Sequence, residues 1–274
     1  MTMNSTPKIF DTHAHYDDEA FDPDREAVIA SLREHGIGAV VNVGANRAGT
    51  EHSLELAQKY DFFYGAAGVH PSDTMEFENG TVSISWLREI ASQPKMLAIG
   101  EIGLDYYWDT PDRAIQKKWF LEQLALAKEL DKPVIIHSRD AAKDTLDLIR
   151  EAGGADMSMV IHCFSYEVEM AREYLKMGHF FGIGGVSTYK NARKLKEVIR
   201  FLPLEQILLE TDCPYLSPTP HRGKRNSSLN LEYVIHAVAE LKEISEEEVI
   251  AVTWANAHRF YRLPEPESSL TENI

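Results

Sequence analysis

The stretch Ile9-Phe10-Asp11-Thr12-His13-Ala14-His15 decides how the rest of the chain is interpreted. A short apolar run leads directly into two histidines, and alternate residues of an extended strand share a face. We therefore expect His13 and His15 side by side where a strand runs into a loop. Neutral imidazoles bind zinc, manganese and iron, so the pair is a candidate metal site. Taken alone, it is equally compatible with two polar residues in an N-terminal turn.

Apolar runs and amphipathic helical segments alternate along the chain after this stretch. Eight strands are predicted, near residues 9–15, 39–44, 62–69, 96–100, 133–136, 159–161, 179–183 and 206–211. A helical segment follows each one, and regular β-then-α alternation is typical of a parallel sheet buried on both faces. Eight such units predict an α/β fold of the TIM (β/α)8 barrel class. The alternative is an open doubly wound sheet, although the first strand is not followed by a G-x-G-x-x-G motif.

The ends of the helices and of the domain are predicted from local signals. Asp22-Pro23 is predicted to open the first helix and Thr110-Pro111 the helix after the fourth strand, since Asp favours the N-cap and Pro the first helical turn. Additional C-terminal helices are predicted at 230–242 and 246–262, packed across the outside or the bottom of the barrel. The prediction is one domain over residues 8–263, with a disordered N-terminus at 1–7 and a disordered tail at 264–274.

Composition limits the class of protein. The chain has 274 residues, 44% of them hydrophobic, and a formal net charge of −15. An acidic surface argues against long electrostatic contacts with nucleic acid or anionic membranes. No apolar run approaches the roughly 20 residues of a membrane helix, and the start lacks the features of a signal peptide. Two cysteines do not form a disulfide framework, so we expect a cytoplasmic protein without an obligatory protein partner.

Histidines and carboxylates stand at the ends of most predicted strands. They are His13, His15, His70, Glu101, His137, His162 and Asp212. In a TIM barrel the active site lies at the carboxyl ends of the strands, so these residues should converge. Six metal ligands exceed the four that one zinc ion takes, and they suit two ions that share a carboxylate, with Glu101 and Asp212 available. The chemistry that such a pair of ions serves is hydrolysis.

Six motifs carry a resemblance to a known family. They are Phe10-Asp11-Thr12-His13-Ala14-His15, Gly68-Val69-His70-Pro71, Ala98 to Tyr106, Pro133 to Arg139, His162-Cys163-Phe164 and Leu209 to Leu216, the last continuing through Pro220 to Asn226. With these motifs the chain resembles the TatD-like deoxyribonuclease family, within the amidohydrolase superfamily of metal-dependent hydrolases. The resemblance extends over about residues 8–262, which is nearly the whole chain.

The resemblance implies a TIM barrel and metal-dependent hydrolysis of DNA, either single-stranded or at duplex ends. It implies two divalent ions (Mg, Mn or Zn), one held by His13, His15, Glu101 and Asp212, the other by Glu101, His137 and His162. Glu101 would bridge the ions, and Asp212 would also accept the proton of the nucleophilic water. His70 and Arg139 would face the substrate phosphate. The chain departs from the family pattern at Ser72, where a second histidine is frequent, and at Ser227-Ser228, which could loosen the loop after the eighth strand.

Other residues near the predicted mouth are candidates for substrate binding. Tyr106 and its aromatic neighbours could stack on a base, whereas Trp108 more simply packs as part of a lid. Arg222 and Arg225 belong to a basic loop that either binds phosphate or is solvated. Asp105 could accept a hydrogen bond from a ligand histidine. Both cysteines, Cys163 and Cys213, follow proposed ligands, and strand alternation predicts that they turn away from the metals as buried thiols.

Three classes of function compete. The leading one is a metal-dependent phosphodiesterase that acts on DNA. The second keeps the metals and cleaves an amide or ester, as an aminoacyl-tRNA deacylase does; Arg139 and the basic loop favour phosphate, whereas the net charge favours the alternative. The third is a metal-binding barrel without catalysis, which a full ligand set with Asp212 disfavours.

Overall fold

The computed structural model describes residues 8–264, and within them eight parallel strands pair in sequence order. The strands are β1 (Ile9–Ala14), β2 (Ile37–Val43), β3 (Phe63–Ala67), β4 (Met96–Asp105), β5 (Val134–Arg139), β6 (Met159–Ile161), β7 (Phe180–Ile183) and β8 (Ile207–Leu209). Each is followed by at least one helix, and the TIM-barrel prediction is confirmed.

The barrel is closed between β1 and the chain that leaves β8. Ala14 forms a parallel bridge with Cys213. The His15 N–H donates to the Cys213 carbonyl at 2.8 Å, and the Asp212 N–H donates to the His13 carbonyl at 2.9 Å. The open doubly wound alternative is therefore wrong. Closure also places the proposed ligands of the first and eighth strands on adjacent segments of backbone.

Ten α-helices surround the sheet or cap it within residues 8–264. They are α1 (Arg25–Leu32), α2 (Arg47–Lys59), α3 (Met75–Glu78), α4 (Ile84–Ala91), α5 (Arg113–Glu129), α6 (Ala142–Glu151), α7 (Val168–Lys176), α8 (Arg193–Phe201), α9 (Leu231–Lys242) and α10 (Glu246–Tyr261). None of them is long and apolar enough to cross a membrane. The short helix α3 was not predicted.

Two predicted helix starts were each wrong by two residues. Asp22 is not the N-cap of α1, because residues 19–21 form a 3₁₀ turn and Asp22 instead pairs with the Arg25 guanidinium at 2.6 Å. Asp112, rather than Thr110, caps α5, since its carboxylate accepts the Ala114 N–H at 2.8 Å. The ends at 1–7 and 264–274 lie outside the described residues apart from Pro264, and the domain bounds 8–263 stay a prediction.

The hydrophobic core has two parts, one between the sheet and the outer helices and one inside the barrel. The interior part combines Phe10, Val41, Ile135 and Leu208 with apolar residues of α10, among them Phe260. The ring of Phe10 lies 5.7 Å from that of Trp254 and 5.8 Å from that of Tyr261, so α10 closes the end of the barrel where the strands begin. This confirms the prediction of a helix across the bottom and leaves the opposite end open.

Irregular pairing in β1 and β4 sets the direction of their side chains. In β4, Ile99 and Ile102 both pack in the core between sheet and helices although they are three residues apart, and the register against β5 shifts between them. A β-bulge of this kind reverses the alternation of side chains. Strand β4 was predicted to end at Gly100 but continues to Asp105, so Glu101 lies within it and turns into the barrel.

Candidate metal centre

Four donor atoms from β1, β4 and the end of β8 converge at the open end of the barrel. The Nε2 atoms of His13 and His15 are 3.1 Å apart. Oε2 of Glu101 lies 3.5 Å from Nε2 of His13, and Oδ1 of Asp212 lies 3.4 Å from Nε2 of His15. These four residues are the predicted ligands of the first ion.

The other carboxylate oxygen of Glu101 faces a second group of donors. Its Oε1 lies 2.7 Å from Nδ1 of His137 and 3.7 Å from Nε2 of His162. The two oxygens of one buried carboxylate therefore point to two sets of imidazoles. The rings of His13 and His162 stack with centroids 3.7 Å apart, so His162 stands between both sets.

The donors fit divalent metal ions in their chemistry and spacing. Two ligands bound to one zinc ion at about 2.1 Å and a tetrahedral angle stand about 3.4 Å apart, which is close to the separations found here. Imidazole nitrogens and carboxylate oxygens are ligands of zinc and manganese, and carboxylates are ligands of magnesium. The cluster is almost fully buried, with 4% of Glu101 and 1% of His13 exposed. A buried set of charges is costly unless it is paired or binds a cation, so this cluster is a candidate metal centre.

The electrostatics of the cluster keep its carboxylates ionised. Burial raises the pKa of Glu101, but the charges of His162 and His137 outweigh burial and hold it well below its usual range. The pKa of Asp212 is also lowered, again because nearby histidines outweigh burial. Burial lowers the pKa of His162, yet the carboxylates around it raise the value to about 10. Metal ions bind deprotonated imidazoles, so they would replace these protons.

Three of the four candidate histidine ligands have their second ring nitrogen next to an acceptor. Nδ1 of His15 lies 2.9 Å from the Val43 carbonyl oxygen, and Nε2 of His137 lies 3.1 Å from Oδ2 of Asp105. The expected contact between Asp105 and a ligand histidine is thus confirmed. Nδ1 of His162 lies 3.1 Å from Oε1 of Glu210. This last contact is an ion pair without a well-aligned hydrogen bond, because the ring N–H does not point at the oxygen. Such acceptors fix the tautomer and the orientation of metal ligands.

Glu210 was not among the predicted site residues. It is buried, and its Oε1 also accepts the Cys163 N–H at 2.6 Å. Space for it depends on Gly182 in β7, where an added Cβ would lie 2.2 Å from Oε2 of Glu210. The signal was present in the sequence, because Glu210 precedes Asp212 by two residues and so shares its face of an extended chain.

Asp11 was also missed, and it joins β1 to the chain after β8. Its two oxygens accept from the Thr211 backbone and hydroxyl, at 3.0 and 2.7 Å, and from the Ser228 hydroxyl at 2.7 Å. Burial raises the pKa of Asp11 to about 7 although these hydrogen bonds lower it. Ser228 is itself buried and bonds to the Tyr16 side chain. The departure at Ser227-Ser228 therefore does not loosen this loop.

The metal centre lies in a cavity of about 630 Å³ at the mouth of the barrel. The cavity is lined by His15, Asp17, Asp18, Ala45, Asn46, His70, Ser72, Asp73, Glu101, Asp105, Trp108, His137, Arg139, His162, Asp212, Tyr215 and Leu216. His13 lies beneath this surface. Two predicted substrate residues, His70 and Arg139, line the cavity, and their roles stay predictions.

Three further predicted substrate residues do not line the cavity, because their polar groups are engaged elsewhere. The Tyr106 hydroxyl donates to Asp144 at 2.7 Å. The Arg222 guanidinium lies over the Tyr189 ring, 4.3 Å from its centroid. The Arg225 guanidinium donates to both oxygens of Asp24, at 2.7 and 2.8 Å. Arg225 thus ties the loop after β8 to the start of α1.

The cysteines and Trp108 differ in part from expectation. Cys213 is buried, but Cys163 is only partly buried and comes within 4.8 Å of donor atoms of His162 and Glu210. It is therefore closer to the centre than strand alternation suggests. Trp108 lines the cavity with 63% of its surface exposed, and does not pack as a closed lid.

Comparisons with known proteins agree with this geometry. The family model of the TatD-related DNases matches residues 10–262. The chain is 42% identical to the uncharacterized metal-dependent hydrolase YabD of Bacillus subtilis (strain 168), over 93% of this chain and 99% of that one. It is 34% identical to the uncharacterized metal-dependent hydrolase YcfH of Escherichia coli (strain K12), over 93% and 96%. The crystal structure of YjjV, a TatD homologue from Escherichia coli K12, superposes with a TM-score of 0.87 at 30% identity, covering 94% of this chain and 99% of that one.

Proposed function

The chain belongs to the TatD-related DNase family of metal-dependent hydrolases, and from that premise we propose that it is a deoxyribonuclease. In this proposal two divalent ions, of Mg, Mn or Zn, serve the hydrolysis of DNA phosphodiester bonds. His13, His15, Glu101 and Asp212 would hold one ion, and Glu101, His137 and His162 the other. Such ions would act as Lewis acids and would promote ionisation of water at neutral pH.

The observation that carries this proposal is the orientation of Glu101. Its Oε2 lies 3.5 Å from His13, and its Oε1 lies 2.7 Å from His137 on the other side. A carboxylate with imidazoles at both oxygens is suited to bridging two ions. Paired ions a few ångströms apart stabilise the attacking and the leaving oxygen of a displacement at phosphorus.

Asp212 is proposed as the general base. Its side chain is more exposed than that of Glu101, 17% against 5%, and it lines the cavity that an attacking water would enter. Its backbone adopts a left-handed conformation with φ of 56°, which aspartate tolerates better than most residues. A lowered pKa keeps its carboxylate ionised, so that a lone pair is available for the proton. The carboxylate would accept the proton of the water during attack and return it to the leaving oxygen.

Two residues are proposed to bind the phosphate. Arg139 contributes a guanidinium to the cavity, and its side chain rests on the Tyr107 ring with 3.9 Å to the centroid. His70 accepts the Ser72 N–H at Nδ1, over 3.2 Å, so a neutral His70 carries its proton on Nε2. That nitrogen is a hydrogen-bond donor for an anionic oxygen.

The alternative of an amide or ester substrate has one observation in its favour. Six carboxylates line the cavity, against a single Lys or Arg side chain among the described residues, Arg139. Asp17, Asp18 and Asp73 stand outside the proposed ligand set and could bind the amino group of an aminoacyl ester. The position of Glu101 between two sets of imidazoles suits both reactions, so an assay on both kinds of substrate must distinguish them.

The deciding experiment offers both kinds of bond to the same reconstituted protein. We expect cleavage of single-stranded and duplex DNA with at least one of Mg²⁺, Mn²⁺ and Zn²⁺, and little release of amino acid from aminoacyl-tRNA. Arg139→Gln should weaken DNA cleavage mainly through KM without loss of metal. Lys143→Gln, which removes a cation on the exposed surface of α6, is the matched control. Hydrolysis of the aminoacyl ester without DNA cleavage would overturn the nuclease proposal and support the alternative.

A further inference from the structure

Large apolar side chains are exposed mainly at the mouth of the barrel. Among the described residues, five such side chains are exposed, and four of them belong to the chain after β4 or after β8: Tyr107, Trp108, Tyr215 and Leu216. Trp108 is 63% exposed and Tyr215 is 53% exposed. Exposed apolar groups that are concentrated in one place mark a binding surface more strongly than scattered ones.

Trp108 and Tyr215 stand on different sides of the metal centre. Both line the cavity that contains Glu101 and Asp212. Strands β4 and β8 are four places apart in a ring of eight, so the segments that follow them lie across the mouth from each other. A group that enters the cavity therefore passes an aromatic ring on each side.

Hydrogen bonds to residues of the metal centre or its rim hold both aromatic residues. The backbone N–H of Trp108 donates to Oδ1 of Asp105 at 3.0 Å, and Oδ2 of the same carboxylate contacts His137. The Tyr215 N–H donates to the Asp212 carbonyl at 2.9 Å, and its hydroxyl donates to Asp18 at 2.6 Å. The backbone of Trp108 and the ring of Tyr215 are thus positioned relative to the proposed ligands, and less entropy is lost when a ligand stacks on a ring that is already held.

The charge of the cavity excludes recognition through phosphates alone. Beyond Arg139, the lining offers carboxylates such as Asp17, Asp18 and Asp73, which repel phosphates on either side of the one under attack. Contacts to the bases can then add affinity that the few cationic groups of the lining do not supply. Stacking on aromatic side chains supplies such affinity without dependence on sequence.

We propose that Trp108 and Tyr215 form a stacking site for the base of an unpaired nucleotide next to the scissile phosphodiester. The inference rests on the proposed function and adds to it a binding site for a base. A base inside a duplex has neighbours on both faces, so only an unpaired and unstacked base can use these rings. A cavity of about 630 Å³ suits a small ligand and not a duplex.

The test is a double-mutant cycle between protein and substrate. The assay compares the wild type with the variants Trp108→Leu and Tyr215→Leu on two substrates. One is a thymidine oligonucleotide, and the other is the same strand with abasic units in place of its terminal nucleotides. Leucine keeps an apolar side chain without an aromatic face. Loss of the base should raise KM for the wild type about 5- to 140-fold, the range that stacking of one base gives. Trp108→Leu should raise KM for the intact strand similarly, raise it little further for the abasic strand, and leave kcat nearly unchanged.

Matched variants separate stacking from other effects. Tyr215→Phe keeps the ring and loses only the bond to Asp18, so it should bind the intact strand much better than Tyr215→Leu does. Trp108→Phe should likewise keep much of the affinity that Trp108→Leu loses. Trp86→Leu makes the same substitution on α4, away from the mouth, and should leave KM for both strands unchanged. An unchanged KM in both leucine variants, or an equal rise for intact and abasic strands, would overturn the stacking site.

A binding measurement separates failure of this inference from failure of the proposed function. The substitution Asp212→Asn is introduced to prevent turnover, and the variant is reconstituted with Mn²⁺. It is then titrated with each strand while tryptophan fluorescence is followed. The intact strand should quench the fluorescence more than the abasic strand does. This difference in quenching between the strands should vanish in the double variant that also carries Trp108→Leu. Base-dependent quenching, if the wild type does not cleave DNA, would support the stacking site and overturn the nuclease proposal. DNA cleavage without base-dependent quenching would support the nuclease proposal and overturn the stacking site.

Discussion

Nδ1 of His162 lies 3.1 Å from Oε1 of Glu210, a buried carboxylate on the side of the ring away from the other ligands. A carboxylate at this position favours a proton on Nδ1. The opposite nitrogen, Nε2, lies 3.7 Å from Glu101 and 3.8 Å from Asp212, where a metal would bind. We therefore infer that Glu210 is a positioning residue for His162.

Replacing Glu210 should weaken metal binding. Glu210→Gln keeps the shape of the side chain but removes its charge, so the preference for the Nδ1 tautomer weakens. Substitutions of this kind typically cost about 10- to 100-fold in metal affinity. Titration with Zn²⁺ against a chromogenic chelator measures the change, with Glu232→Gln on the exposed face of α9 as control. Unchanged affinity would show that Glu210 does not position the ligand.

A second variant should reproduce that defect from the neighbouring strand, β7. Gly182→Ala adds a Cβ that would lie 2.2 Å from Oε2 of Glu210, so the carboxylate must move. We expect weaker metal binding although no candidate ligand is changed. Gly80→Ala is the control, because its left-handed backbone is strained by any side chain while nothing lies within 4 Å of the new atom. Normal metal affinity in Gly182→Ala would contradict the expected movement of Glu210.

Asp212 should be required for turnover more than for metal binding. Asp212→Asn retains one oxygen that can act as a ligand but loses most of the basicity. A positioned general base contributes about 100- to 10,000-fold, so kcat on DNA should fall by that order while much of the metal remains. Single-turnover rates and metal content should be measured on the same sample. Full metal content together with a rate near that of wild type would assign the proton transfer to another group.

The bulges in β1 and β4 show what the sequence could not predict. Strict alternation from Phe10, whose ring packs inside the barrel, would turn His13 outward. Likewise, alternation from Ile99 in the outer core would turn Glu101 outward. Register shifts in both strands reverse these directions. Such shifts depend on pairing with neighbouring strands, so only the folded barrel reveals them.

The barrel and the candidate ligands, in contrast, were accessible from local patterns. Eight buried runs predict the number of strands, and the histidines and carboxylates at the ends of six of them predict that these ends converge. Arg222 and Arg225 illustrate the limit of this reasoning. Proximity in sequence to Asp212 indicated a role at the mouth, but Asp24, which is distant in sequence, engages Arg225. Long-range ion pairs leave no local signal.

Acid should destabilise the protein through His179, far from the metal centre in sequence. His179 is fully buried, neither ring nitrogen has a partner among the described residues, and burial lowers its pKa to about 4. The unfolded chain binds a proton at this residue below about pH 6.5, whereas the folded chain does so only near pH 4. The free energy of unfolding is thus unaffected by His179 above pH 6.5. It decreases as the pH falls below 6.5, because the unfolded chain then binds a proton that the folded chain does not.

The expected loss is about 2 kcal/mol between pH 7 and pH 5. Urea unfolding of chelator-treated protein at both pH values measures it. His179→Leu cannot bind the proton, so its stability should fall by about 2 kcal/mol less over the same interval. Equal pH dependence in the two proteins would mean that His179 is protonated in the folded state, or that it finds a partner there.

The claim that the two oxygens of Glu101 serve two ions is tested most directly by locating the ions. Crystals of the protein grown with Mn²⁺ should be measured at the manganese absorption edge. Two anomalous peaks are predicted, one beside Oε2 among His13, His15 and Asp212, the other beside Oε1 near His137 and His162. A single peak at saturating Mn²⁺, or two peaks that do not both contact Glu101, would contradict the proposed centre.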